Sequence, residues 1–293
     1  MIRVAEEVRE ARAVVALETT LVAHGFPSGD GVDVGIESER CVRDAGAVPA
    51  TVGVLDGEIV VGLSATELER FDENARKVGP RDLAACAAQG AVGATTVGGT
   101  LVVCRRVGIR FMGTGGIGGV HRGWQDRPDV SADLGELARG QTLVVSAGAK
   151  SLLDVSATAE LLEALGVPVL GWRTDELPRF YTAGGGPPVS ARVENADEVA
   201  RIAAAHWTEL ERGGILVARP PDESLDDVGP VIDDAVSAAE AEGVRGPMVT
   251  PFVLSYLHRQ SGGATLRANK ELVAANAQLA AEISVAYARL EDG

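Results

Sequence analysis

The chain has 293 residues, and its 27 lysines and arginines are outnumbered by 42 aspartates and glutamates, giving a formal net charge of -15 at pH 7. So acidic a protein is repelled by nucleic acid and by anionic membrane surfaces unless basic residues gather in one patch, and the longest arginine run is only Arg105-Arg106. With 46% hydrophobic and 24% charged residues, the composition excludes a disordered chain and allows a large buried core.

No apolar stretch approaches the about 20 residues needed to cross a bilayer. Met1 to Arg12 is charged, helical in pattern and without a secretory apolar region, so a cytoplasmic protein is expected. Cys41, Cys86 and Cys104 show no short metal-type spacing and read as reduced structural thiols. With no long linker and no internal repeat, a single domain over 1–293 is expected. Among the 27 cations only Lys77, Lys150 and Lys270 are lysines. Where guanidinium serves whenever a positive charge suffices, a lysine is a candidate for work that only an amine does, such as attacking a carbonyl.

Taken in chain order, Val14–Leu17 reads as a strand that ends on Glu18-Thr19-Thr20, with His24-Gly25 just beyond. An acid at a strand end in apolar company would hold its proton more tightly and could donate it near neutrality; a partly exposed strand-end glutamate is the plainer account. A helix over Val34–Ala45, a strand over Ala50–Leu55, an edge hairpin at Asp56–Val61 and a helix over Ala65–Asn74 follow. Lys77-Val78-Gly79-Pro80-Arg81-Asp82 leads from a polar turn into a helix over Asp82–Gln89, placing two cations near a possible anion site; a solvated loop explains it almost as well. Strands at Gly93–Val97 and Ile109–Met112 come next.

Gly113-Thr114-Gly115-Gly116-Ile117-Gly118 satisfies G-x-G-x-x-G after a strand, with Asp133 downstream. A dinucleotide fingerprint must open a helix, whereas this one runs into Gly119-Val120-His121-Arg122-Gly123 and then Pro128. The better reading is a loop of exposed amides that receives phosphate or sugar, against a tightly packed turn that binds nothing. In Asp129-Val130-Ser131-Ala132-Asp133, Ser131 can cap a helix with Asp133 in its first turn. That leaves Asp129 unexplained, and hard carboxylate ligands of this kind suit Mg²⁺ or Mn²⁺.

A strand at Thr142–Val145 continues into Ser146-Ala147-Gly148-Ala149-Lys150-Ser151, read as a small-residue turn entering a helix. This puts Lys150 at the carboxyl end of a strand, where open α/β sheets bind ligands. Small neighbours admit a substrate, whereas a plain surface lysine there would oppose the helix dipole. Helices at Ala157–Leu165, Ala196–Arg212, Asp227–Glu242 and Asn269–Leu290 alternate with strands at Val167–Leu170 and Gly214–Val217, a surface loop at Gly184–Pro188 and a further pairing near Val189–Val193. Strands buried on both faces between helices make an α/β layered sandwich with a mixed sheet. His24 and His121 are placed for substrate contact; His206 and His258 read as structural. There is no zinc pattern, no G-x-S-x-G elbow and no Walker-type phosphate loop.

Taken together, Ala16-Leu17-Glu18-Thr19-Thr20 with His24-Gly25, Gly46–Thr51, Lys77 with Arg81-Asp82, Gly93–Val97, Gly113–Arg122, Asp129–Leu134 and Ser146–Ser151 resemble the pseudouridine-5′-phosphate glycosidases, the indigoidine synthase A-like family. The likeness continues through Thr250-Pro251-Phe252, Gly262-Gly263 and Leu266–Asn276. It implies a three-layer α/β/α sandwich with a mixed, mostly parallel sheet, assembled as a homotrimer with a divalent metal, Mn²⁺ or Mg²⁺. The implied activity is a reversible lyase reaction that splits the C–C glycosidic bond of pseudouridine 5′-phosphate into uracil and ribose 5-phosphate. Position by position, the resemblance assigns Lys150 as Schiff-base nucleophile, Glu18 as proton donor and Asp129 as metal ligand. Lys77, Val97 and Ser131-Ala132-Asp133 match the family's substrate-contact positions, and Thr96 and His121 join them as substrate-binding candidates. Gly98-Gly99-Thr100 is more glycine-rich, and Gly79-Pro80 less polar, than the family pattern. A related lyase acting on another base, and a non-catalytic sugar-phosphate-binding protein, are the alternatives.

Overall fold

The computed structural model describes residues 1–27, 29–225, 228–244 and 249–291. Its first half runs β1 (Ile2–Val4), α1 (Glu6–Glu10), β2 (Val14–Glu18), α2 (Thr20–His24), α3 (Asp30–Asp44), β3 (Val48–Leu55), β4 (Glu58–Val61), α4 (Ala65–Leu68), β5 (Arg76–Val78), α5 (Leu83–Ala88), β6 (Gly93–Thr95), α6 (Val97–Val107), β7 (Phe111–Gly113) and β8 (Val120–His121). The second half runs α7 (Ala132–Arg139), β9 (Leu143–Ser146), β10 (Leu153–Asp154), α8 (Val155–Ala164), β11 (Val169–Trp172), β12 (Ala191–Val193), α9 (Ala196–Ala204), β13 (Ile215–Ala218), α10 (Val228–Ala241), α11 (Val249–Gln260) and α12 (Ala264–Glu291).

Eleven strands form one sheet whose main path is β1-β4-β3-β2-β7-β9-β13-β11-β12, with β6 beside β3 and β5 beside β6. Only β3–β4 and β3–β6 pair antiparallel within it, among the described residues. The strands are apolar on both faces because both faces are covered. On β2, Val14 and Ala16 enter one core while Val15 and Leu17 enter another. The same alternation sends Val144 to the first core and Leu143 and Val145 to the second, and on β13 divides Leu216 and Ala218 from Ile215 and Val217. Leu101 of α6, Leu134 of α7, Leu162 of α8 and Ile232 of α10 cover the first face. Val199 of α9 with Ala277, Ala280 and Ile283 of α12 cover the second, and α12 crosses β2, β7 and β9 as expected. The result is the three-layer α/β/α sandwich with a mixed, mostly parallel sheet.

Several boundaries differ from expectation for local reasons. The N-terminal segment opens as a strand, because Ile2 and Val4 register against Ile59 and Val61; the hairpin at Asp56–Val61 therefore lies one strand in from the edge. The strand from Gly93 stops at Thr95, since the Thr96 side chain accepts from Gly99 N at 3.1 Å and caps a helix beginning at Val97. The helix from Ala65 ends after one turn, at Leu68. Residues 189–193 supply a parallel strand, β12, and Ala196–Arg212 turns π-helical at Ala205–Glu209. Asp227, the expected start of a helix, and the side chains of Thr250 and Pro251 lie outside the described residues.

Candidate active site

The chemistry-bearing residues meet beyond the carboxyl ends of β2, β7 and β9, the edge at which open α/β sheets hold ligands. A cavity of about 750 Å³ there is walled by Glu18, Lys77, Thr96, His121, Asp129, Ser131, Ala132, Asp133 and Lys150. Val97 does not line it: it is the first residue of α6, 1% exposed, beside Thr96, which does. Glu18 is the last residue of β2, in register with Val52 of β3; it is 4% exposed. Burial raises its carboxyl above the usual range, against the opposing pull of Lys150, a hydrogen bond from Thr114 and the charge of Lys77.

Lys77 lies in β5 rather than in a loop. Burial together with the nearby Lys150 lowers its amine to about 8. Lys150 sits at the end of a turn and not at a helix start: its carbonyl accepts from Leu153 N at 3.0 Å, and the next helix begins only at Val155. Its own N–H donates to Ile117 O at 3.1 Å, so the glycine loop and the lysine turn run side by side past the ends of β7 and β9. That loop opens no helix, as its sequence implies; it leads into β8, which pairs with β10.

Ser131 caps α7, its hydroxyl accepting from Asp133 N at 3.2 Å. Asp133 is 6% exposed, and its two oxygens accept from Gly98 N and Gly118 N, each at 2.8 Å. One carboxylate thus ties the start of α6 to the glycine loop. The glycine-rich start of α6 follows from this closeness. A Cβ on Gly98 would lie 2.9 Å from Asp133 Oδ1 and 3.2 Å from Pro80 Cγ, so Gly98 and Pro80 pack as a pair.

With Asp133 committed to amides, Asp129 is the exposed carboxylate of the two. No group of three or more His, Cys, Asp or Glu is placed to hold a metal among the described residues. Asp129 lines the cavity as an exposed hard oxygen donor, the kind of single carboxylate that suits a divalent cation held otherwise by water and substrate. His121 lines the cavity, and burial lowers its imidazole, opposed by Asp129. His24 does not line it: its Nε2–H donates to Ala75 O at 2.9 Å, holding the turn that leads into β5. Asp82 stands at the N-cap of α5, but its side chain accepts from Gly79 N instead. Lys270 pairs with Asp30 at 3.1 Å, away from the cavity.

Sequence reasoning misses Thr114, whose hydroxyl donates to Glu18 Oε1 at 2.5 Å, and Asn276, whose amide donates to Thr114 O at 2.8 Å. The signal for Thr114 was available, since a polar residue directly beyond a strand that neighbours β2 must stand beside the end of β2. The apolar wall of Leu153, Leu161 and Leu165 leaves no comparable trace. Among the described residues, no helix is long and apolar enough to cross a membrane.

The family model for indigoidine synthase A like protein matches residues 3–286. Over 299 residues the chain is 44% identical to a pseudouridine-5′-phosphate glycosidase of Myxococcus xanthus, covering 98% of this chain and 99% of that protein. It is 42% identical over 301 residues to the enzyme of that name from Escherichia coli, covering 99% and 96%. Among solved structures, the prealnumycin C-glycosynthase AlnA in complex with ribulose 5-phosphate superposes with a TM-score of 0.90 at 39% identity, over 100% of this chain and 98% of that one. An indigoidine synthase A-like protein of Thermotoga maritima superposes with a TM-score of 0.87 at 37% identity, over 97% and 96%.

Proposed function

The chain belongs to the indigoidine synthase A-like family, and from that premise we propose that it cleaves the C–C glycosidic bond of pseudouridine 5′-phosphate reversibly, giving uracil and ribose 5-phosphate. The observation that carries this reading is the meeting of Glu18, Lys77 and Lys150 in one cavity, with the Glu18 carboxyl buried and raised.

A C-glycosidic bond has no leaving oxygen or nitrogen to protonate, so the two-carboxylate chemistry of ordinary glycosidases is poorly suited to it. Glu18 donates its proton to the ribose ring oxygen as the C1′–O4′ bond breaks, and the Nζ lone pair of Lys150 forms a bond to C1′. The adduct nitrogen gives up a proton to the Glu18 carboxylate and so regains its lone pair, and the C1′–C5 bond then breaks: its electron pair leaves with uracil, whose C5 takes that proton from Glu18, while the nitrogen lone pair completes a C1′=N iminium. Water hydrolyses the iminium, releasing ribose 5-phosphate and restoring the lysine. Glu18 serves as the proton carrier in these steps, burial letting its carboxyl hold the proton to higher pH than a free glutamate does. Arginine at 150 could not form the adduct.

Lys77 and the residues around Ser131 receive the anionic end of the substrate against the -15 charge of the whole chain. Asp129 would hold a Mn²⁺ or Mg²⁺ ion, which when bound offsets negative charge on the substrate. A homotrimer in the cytoplasm completes the reading; light scattering would report three times the 30.3 kDa chain. The apolar wall of Leu153, Leu161 and Leu165 favours one variant, the same chemistry with a less polar base than uracil.

Borohydride reduction in the presence of ribose 5-phosphate tests the mechanism. A mass increment on the Lys150 peptide is expected, along with loss of turnover in a folded Lys150→Arg variant. No adduct, or one on another residue, removes it. Comparing uracil with other aromatic bases in the synthetic direction decides base choice. Binding of ribose 5-phosphate with no turnover, unchanged in Lys150→Ala, would make the protein a binding module instead.

A further inference from the structure

Four non-glycine residues have positive φ among the described residues. Asp56, Arg173 and Glu211 are exposed, whereas Phe180, with φ of 64°, is only 3% exposed. A bulky side chain in the left-handed region is an outlier that persists only where its surroundings over-determine it.

The surroundings here are the two loops that carry Lys150. Phe180 N donates to Ala147 O at 3.0 Å, and Arg179 bridges Gly148 in the antiparallel sense. Gly148 itself has φ of 82°, and a Cβ on it would stand 2.4 Å from Pro178 O, so the lysine turn is pressed against this segment without room for a side chain. The Phe180 ring covers Gly116 so closely that a Cβ there would lie 2.6 Å from it. Next to Gly116, Ile117 donates to Gly148 O at 3.0 Å and accepts from Lys150 N at 3.1 Å. One residue therefore presses on both backbones that fix the lysine, although it does not line the cavity.

We infer that Phe180 is a positioning residue for Lys150, its left-handed backbone and its ring clamping the Ser146–Lys150 turn to the glycine loop so that Nζ faces the substrate. This rests on the Schiff-base reading of Lys150. Displacing a reacting group by about 1 Å can cost a hundredfold in rate, so a loosened clamp should act on the covalent step more than on binding.

The test compares wild type with Phe180→Ala and with Phe180→Leu, which keeps most of the apolar volume without the flat ring. Formation of the reducible adduct at saturating ribose 5-phosphate is sampled by borohydride quench and expressed per folded molecule, using circular dichroism. Adduct formation and kcat at least tenfold slower in Phe180→Ala, with KM changed less than threefold and an intermediate rate in Phe180→Leu, is the expected result. Wild-type rates in the folded variants overturn the positioning role alone. Absence of any adduct in the wild type overturns the reading of Lys150, and this inference with it.

Discussion

Thr114 donates its hydroxyl proton to Glu18 Oε1 at 2.5 Å, 96 residues away in sequence. The contact follows from register. β2 and β7 run parallel with Leu17 opposite Gly113, so the residues one step further along each strand must stand side by side. Asn276 of α12 donates to Thr114 O at 2.8 Å and keeps that step in place.

This hydrogen bond lowers the Glu18 carboxyl against the burial that raises it, so its removal has a definite sign. In Thr114→Val the carboxyl rises further, and the alkaline limb of the kcat/KM profile moves up by about one pH unit, since a bond to a charged group is worth about 1.5–3 kcal/mol and one unit is about 1.4. Thr114→Ser keeps the limb where it is. A Val variant with an unmoved limb would detach Glu18 from that ionisation.

Burying Glu18 at a strand end also has a stability cost with a pH signature. Its folded-state carboxyl is raised above the ordinary glutamate value of 4.5, so well below that value both states are protonated and there is no penalty. As pH climbs through the raised folded value, the wild type loses stability that Glu18→Gln retains. The variant is expected to be inactive yet more stable at pH 8. A gain of about 1 kcal/mol raises Tm by about 2–4 °C. The gap should close by pH 4, which thermal melts across that range will check.

The strands around this site are readable because short continuous apolar runs such as Val14–Leu17 and Leu143–Val145, bounded by polar or small residues, fit strands buried on both faces. Glu18 and Lys150 were readable for the same reason, since each stands just beyond such a run. What stayed hidden depends on distant partners. α6 begins Val97-Gly98-Gly99, a poor helix start by propensity, and the structure supports it with the Thr96 cap and with Asp133 accepting from Gly98 N. Lys77 looked like a loop residue because β5 is only three residues long and pairs with an equally short β6. Phe180 gave no sign, because nothing in Pro178-Arg179-Phe180-Tyr181 announces a left-handed backbone.

Lys77 should make anion affinity depend on pH. Its amine is lowered to about 8 by burial and by Lys150, so the charge that receives an anion is present below that pH and lost above it. A phosphate monoester is already a dianion there, with its second ionisation near about 6, so the ligand adds no trend of its own. Calorimetric titration with glycerol phosphate, a monoester with no carbonyl for a lysine to attack, is expected to show affinity falling several-fold between pH 7.5 and about 9 in the wild type. Lys77→Arg should hold affinity level, because guanidinium keeps its proton. A parallel decline in both proteins would place the titrating group elsewhere.

Asp133 offers the opposite sign from Thr114 at the same carboxyl. Its charge raises Glu18, while its two oxygens clamp the amides of Gly98 and Gly118. Asn at 133 has one carbonyl oxygen, so one buried N–H loses its acceptor and faces an NH₂ group instead, at a cost of about 1–3 kcal/mol. Because the charge disappears too, the Glu18 carboxyl falls and the alkaline limb moves down, where Thr114→Val moves it up. If the two variants shift the limb in the same direction, the electrostatic account of Glu18 fails, whatever the melting temperatures show. If they shift it oppositely while Asp133→Asn alone loses Tm, a single carboxylate both braces the loops and tunes the acid between them.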